Sequence, residues 1–204
     1  MSSFREFLRS AYSLKKKRAV KISDHRRKKP RLLIVSRKRT RAFTNGADIV
    51  KMAKSLGFAV VVAEPSITGL PQFAQIVNSC DAMMGVHGAG LTNLVFLPTN
   101  ATLIQIVPWG IPEWVSTHSF GELAEGMNIR YMEYKIREEE STLIQQYPLD
   151  HAVFKDPMSI RKQGAIELIE LQNANVRRAI QQTHHTNGLT ARHFQASYDD
   201  SQQL

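Results

Sequence analysis

The chain carries a single cysteine, Cys80, among 204 residues. That excludes an internal disulfide and any zinc site built on several thiolates. No run of about 18 apolar residues occurs, so nothing in these residues is expected to span a membrane. No apolar segment follows the charged first residues, so no signal peptide is expected either. There is no D-x-D pair, hence no obvious acidic site for a phosphate-bound metal; Asp199-Asp200 falls in a polar tail. There is no G-x-S-x-G elbow, which removes hydrolase chemistry of that kind. Neither G-x-G-x-x-G nor G-x-x-x-x-G-K-[ST] is present in full. Acidic charge is scarce in one stretch only. Lys15 to Arg41 holds 14 of the 27 Lys and Arg residues but a single acid, Asp24. The remaining residues have 13 basic and 17 acidic side chains. The net charge of +9 is therefore a local run, of a kind that is usually a solvated linker. No aromatic residues interleave with it, so nucleic acid is not the expected partner, and a basic nucleic-acid binder stays as a third reading.

What is present is an ordinary apolar share, 43%, and apolar runs that alternate between strand and helix spacing. Phe4 to Leu14 has helical spacing, with Phe4, Phe7, Leu8 and Tyr12 on one side. Lys15 to Pro30 reads as a basic loop or linker. Leu32 to Val35 is a buried strand. Asn45-Gly46 precedes a helix over about 47–56, which Gly57 stops. Phe58 to Ala63 is a continuous apolar run, expected as a parallel strand covered on both faces. Pro71 opens a helix to about Asn78. Asp81 to Val86 is the next strand, and Leu91 to Leu97 a short helix. Ala101 to Val107 is a fourth strand. Glu113 to Glu125 reads as helix, Ile129 to Tyr134 as an edge strand, and Ser159 to Thr183 again has helical spacing. Residues 184–204 are polar and expected to be disordered. The division is thus an N-terminal helix with basic linker over 1–30, one domain over 31–183, and a tail. Alternating strands and helices imply an α/β fold, a doubly wound, mostly parallel, Rossmann-like sheet.

The chain is organised around Asn78 to Pro98, NSCDAMMGVHGAGLTNLVFLP. A strand runs into His87-Gly88-Ala89-Gly90 and then a helix. Glycines there let a ligand approach the backbone, and the free N–H groups at the helix start favour an anion. In open parallel sheets ligands bind beyond the carboxyl ends of the strands. Strand one ends in Ser36, Arg37, Arg39 and Arg41, strand two in Glu64, strand three in His87 and the glycine turn. Cations, a carboxylate and an amide cradle at one rim suggest a nucleotide diphosphate. Each residue has a plainer reading. Arg37 and Arg41 either grip a diphosphate or extend the basic run; Lys38 and Arg39 are expected to face solvent. Glu64 either accepts from ribose hydroxyls or is a loop carboxylate. His87 either serves a phosphate as donor or acid–base group, or holds the turn. Gly88, Ala89, Gly90, Leu91 and Thr92 supply amides, and Thr92 and Asn93 either cap the helix or touch an anion. Glu113 and Trp114 either border a sugar pocket or are a helix-start acid and a core tryptophan.

The segments RLLIVSRKRTRAFTN, VVVAEP, NSCDAMMGVHGAGLTNLVFLP and ATLIQIVP, followed by MNIRYMEYKI, YPLDH and NVRR, closely resemble the plant members of glycosyltransferase family 61. These include xylan arabinosyltransferases and xylosyltransferases; the GVHGAGLTN block is shared with animal relatives that add N-acetylglucosamine. The resemblance runs over about residues 4–180. It implies a two-domain GT-B architecture of which this chain looks like the C-terminal half. It further implies an inverting transfer of a pentose from a UDP-sugar to a xylan-type acceptor, with no metal and no other cofactor. The catalytic residue is unassigned on this reading. His87 is a candidate, and the base is otherwise in an N-terminal domain that these residues do not include. A UDP-sugar-binding fragment without turnover is the second reading. Removing charge at Arg37 and Arg41 is expected to weaken UDP binding several-fold. Parent proteins would be anchored in the Golgi with this part lumenal, and Asn100-Ala101-Thr102 is a glycosylation sequon compatible with that.

Overall fold

The computed structural model describes residues 2–20, 29–66, 68–162 and 172–176. Five strands form one sheet: β1 (Arg31–Val35), β2 (Ala59–Ala63), β3 (Ala82–Val86), β4 (Thr102–Val107) and β5 (Arg130–Lys135). Their order is β2-β1-β3-β4-β5, and every neighbouring pair is parallel. This is the expected α/β sheet. Because β2 and β3 lie on opposite sides of β1, the strand order reverses between β1 and β3, which opens a crevice at their carboxyl ends.

Helices cover both faces because β1 and β3 are apolar at consecutive positions. Leu33 and Met83 face one side, where α3 (Leu70–Ser79) buries Phe73, Ala74 and Val77. Leu32, Ile34 and Met84 face the other, where α2 (Gly46–Ser55) buries Ile49 and Ala53. Pro71 lies in the first turn of α3, as anticipated. In the N-terminal helix α1 (Ser2–Ala11), Leu8 is buried and Tyr12 stands edge-on to Phe96 at 5.0 Å. Phe4 and Phe7, expected on the same packed side, are exposed.

Two expectations are corrected. Strand β2 is not covered on both faces: it is the sheet edge, and Val62 is 54% exposed. An apolar run reports strand propensity, not what lies on each face. The short helix expected after the glycine turn is present, as a 3-10 helix over Ala89–Phe96. Residues 172–176 are not helical. They run extended, with Ala174 bridged to Phe43 on one side and Ser141 on the other. Helix is present over Pro157–Lys162; the rest of the expected helix and the tail over 184–204 lie outside the described residues. From Glu113 the chain forms one helical run, α4 (Glu113–Ser116), a π turn (Thr117–Gly121) and α5 (Glu122–Gly126).

The amino-terminal rim of the sheet is fastened by Asp81, which is 3% exposed. Its carboxylate accepts from the Val20 N–H at 2.7 Å and the Arg31 N–H at 2.9 Å. Lys16 Nζ lies 2.6 Å from the same group. Asn78 adds bonds to both the N–H and the carbonyl of Lys16. The described first part of the basic run is therefore a loop anchored against the core; residues 21–28 of that run lie outside the described residues.

Candidate functional site

The opposite, carboxyl-terminal rim carries the residues singled out in the sequence. Strand β3 leaves the sheet at Val86, and His87 extends the ladder by donating its N–H to the Ile106 carbonyl at 2.8 Å. Gly88 then takes φ 142°, ψ −177°, a conformation open essentially to glycine alone. The 3-10 helix begins at once, with the Leu91 N–H donating to the Gly88 carbonyl at 2.9 Å. Gly90 is glycine for a different reason: a Cβ there would stand 3.1 Å from Val35 Cγ1. The side chain of Leu91 is fully buried beneath the turn, so only its backbone serves the rim. Ala89 and Thr92 are exposed, and Thr92 Oγ1 donates to the Ala89 carbonyl at 2.7 Å. Asn93, near-buried, donates to the Gly90 carbonyl. These two side chains cap the turn from within.

Arg37 and Arg41 arrive from the loop after β1 and converge on Gly88. A Cβ on Gly88 would meet Arg41 Nη1 at 2.5 Å and Arg37 Nη1 at 2.9 Å. Arg41 Nη1 lies 3.5 Å from the His87 carbonyl, to which it donates. Arg37 Nη1 is buried with no hydrogen-bond partner among the described residues. Burial, and secondly the nearby Arg41 charge, lower the Arg37 pKa, against a smaller raising effect of Glu64. Two guanidinium groups thus pack over one glycine, and an arginine in such surroundings remains cationic. Glu64 pairs with Lys38 at 3.0 Å. Lys38 is mostly exposed, as expected, and so open a pair adds little to stability. An open groove of about 290 Å³ begins at Arg37 and runs past Ser36, Phe43 and Gly46 to Val62.

The arginine loop is held in shape by residues 172–176. The Arg41 N–H donates to the Gln172 carbonyl at 3.0 Å, and the Ala42 N–H to Asn173 Oδ1 at 2.9 Å. Ala174 exchanges bonds with Ala42 and Thr44. Arg41 itself sits at φ 56°, a left-handed conformation that a non-glycine residue keeps only when its surroundings enforce it. Buried Gln172 also spans the Trp109 N–H and carbonyl.

On the β4 side, Trp114 is 63% exposed, which removes the core-tryptophan reading. Glu113 pairs with Lys135 at 2.9 Å, and that bond is the main reason the Lys135 pKa is raised. Glu113 and Trp114 lie on the helical run that brings Phe120 into a T-shaped contact with His87, with ring centroids 5.4 Å apart. Asn100 is exposed with φ 63° and stands just before β4, on the rim opposite the glycine corner.

The structure thus brings together Arg37, Arg41, His87 and the Gly88–Thr92 backbone, with Glu64 beside Lys38 at the edge. Sequence reasoning missed Gln105, whose Nε2 lies 3.0 Å from His87 Nδ1, and the Gln172–Asn173 clamp. A signal existed for the first: Gln105 is the one polar residue after Thr102 in the apolar strand TLIQIV. No group of three or more His, Cys, Asp or Glu side chains that could hold a metal occurs among the described residues. No helix among them is long and apolar enough to cross a membrane.

Comparison with known proteins gives a consistent family signal. Residues 2–104 match the model of glycosyltransferase 61. Over 165 residues the chain is 51% identical to the alpha-1,3-arabinosyltransferase XAT3 of Oryza sativa subsp. japonica. That is 80% of this chain and 29% of the relative. It is 44% identical over 164 residues to the beta-1,2-xylosyltransferase XAX1 of the same plant, again 80% of this chain and 29% of the relative. The xylan glycosyltransferase MUCI21 of Arabidopsis thaliana is 34% identical over 175 residues, 80% of this chain and 35% of the relative. The chain therefore spans roughly a third or less of the length of these relatives.

Proposed function

The chain belongs to glycosyltransferase family 61, and from that premise we propose that it is the donor-binding half of a GT-B enzyme that moves a pentose from a UDP-sugar to a xylan-type polysaccharide. One observation carries the reading: the guanidinium groups of Arg37 and Arg41 meet over Gly88, and a buried Arg37 nitrogen has no hydrogen-bond partner among the described residues. A diphosphate supplies an acceptor for that nitrogen and suits paired guanidinium donors. The transfer is a single in-line displacement that inverts the anomeric centre. A base takes the proton of an acceptor hydroxyl, and that oxygen bonds to the anomeric carbon. The bond from that carbon to the diphosphate oxygen breaks, and UDP leaves with the electron pair. Arg37, Arg41 and the Gly88–Thr92 amides meet the charge growing on UDP, so this reading assigns no role to a metal. The base is not assigned among the described residues. Trp114 offers an apolar face to a sugar ring, with the Glu113–Lys135 pair beside it as a source of hydrogen bonds.

The second reading is a fragment that binds UDP-sugar without turnover. Incubation with UDP-arabinose or UDP-xylose and a xylo-oligosaccharide separates the two. Release of UDP and an acceptor one pentose heavier establishes the enzyme. UDP binding without release establishes the fragment.

The proposal places this part of the protein in the Golgi lumen. Asn100 is exposed at the far rim, so a glycan there leaves the glycine corner open. Expressed through a eukaryotic secretory pathway, the chain is expected to run heavier until treated with an N-glycanase, and N100Q to run at the treated position from the start. A wild-type band that the glycanase does not move would argue against the lumenal assignment.

A further inference from the structure

A glutamine in the middle of a buried parallel strand is expensive. Gln105 is fully buried in β4 among Leu103, Ile104 and Ile106, and its Oε1 has no hydrogen-bond partner among the described residues. An orphaned buried acceptor costs stability that an apolar residue of similar shape would spare. The compensation visible in the structure is one contact, from Nε2 to His87 Nδ1 at 3.0 Å.

We propose that Gln105 is a positioning residue that sets which nitrogen of His87 carries the proton. An amide nitrogen can only donate, so the Nδ1 it faces must be the bare, accepting nitrogen. In the neutral ring the proton then sits on Nε2, making that nitrogen a donor. The backbone N–H of His87 is fixed to Ile106, its Nδ1 faces Gln105, and its ring stands in a T-shaped contact with Phe120. Gln105 therefore leaves the imidazole one tautomer and one orientation at the strand end that leads into Gly88. Resting on the diphosphate reading above, this makes His87 a hydrogen-bond donor toward the leaving group and not a base toward the acceptor.

The test starts from the tautomer, which needs no ligand. Long-range proton–nitrogen spectra of the whole chain with labelled histidine, assigned through a His87→Asn variant, should show Nε2 protonated and Nδ1 bare at pH 8. Gln105→Met, which keeps the shape and removes the amide, should give a mixture of tautomers with the fold retained. Gln105→Glu, whose carboxylate can only accept, should move the proton to Nδ1. UDP affinity should fall about ten-fold in Gln105→Met, the loss of one donor to a charged group. A protonated Nδ1 in the wild-type chain, or an unchanged tautomer in Gln105→Met, would overturn the assignment. If Gln105→Met does not fold, the wild-type spectrum and Gln105→Glu decide. A wild-type chain that shows the expected tautomer but binds no UDP would defeat the diphosphate reading and leave the role of Gln105 intact.

Discussion

Replacing Gly88 with alanine is expected to remove nearly all affinity for UDP, a loss of at least about 100-fold from the charge-assisted bonds it would displace. Two effects act together. The backbone at φ 142°, ψ −177° costs a non-glycine residue about 1–3 kcal/mol. The new Cβ would also stand 2.5 Å from Arg41 Nη1 and 2.9 Å from Arg37 Nη1. Neither guanidinium can remain where it is, and both are proposed to bind the diphosphate. If the strain unfolds the chain, the double variant Arg37→Ala/Arg41→Ala reaches the same result without touching the turn. It removes both cations and the repulsion between them without straining the backbone of the turn. The check is a UDP titration of each variant alongside circular dichroism. Affinity within two-fold of wild type in a folded double variant would show that UDP, if it binds, does so elsewhere.

The second large effect is on stability. Asp81→Ala deletes a buried carboxylate that accepts from two backbone N–H groups and pairs with Lys16. Three polar groups of the amino-terminal rim lose their partner at once. Removing one member of a buried pair typically costs about 3–5 kcal/mol, or roughly 10 °C in melting temperature at this size. Asp81→Asn retains one acceptor oxygen and should cost about half as much. Thermal unfolding followed by circular dichroism measures both. Because the contacts are on the rim opposite the glycine corner, the folded fraction of Asp81→Asn should bind UDP as the parent does. An unchanged melting temperature in Asp81→Ala would mean that residues 16–20 do not hold to the core in solution.

Much of this was legible in the residues, and the failures have identifiable causes. The strands β1, β3 and β4 declare themselves because central parallel strands are buried on both faces and read as unbroken apolar runs. The same rule misjudged β2. Val60, Val61 and Val62 are as apolar as any central strand, but nothing in a run of valines encodes whether a neighbour covers it, and Val62 stands exposed at the edge. Helical spacing over residues 159–183 gave a helix where Gln172 to Val176 is extended. Local spacing lost there to a long-range set of bonds with residues 41–45 and 138–142, contacts that no window of sequence contains. The glycine corner was foreseen as a turn because Gly88 and Gly90 bracket it. That the arginines of a different loop fold back over Gly88 follows from strand order, since β1 and β3 are neighbours in space although β2 and α3 separate them along the chain. Gln105 was visible in the sequence and passed over, because a polar residue in an apolar strand has no meaning until its partner, His87, is known.

The most direct test of the central claim is a calorimetric titration of UDP into the folded wild-type chain in the presence of excess chelator. Saturable binding to one site per chain, unchanged when magnesium replaces the chelator and lost in Arg37→Ala/Arg41→Ala, is the predicted result. No heat of binding from a folded sample, or binding that appears only when the metal is added, would contradict it.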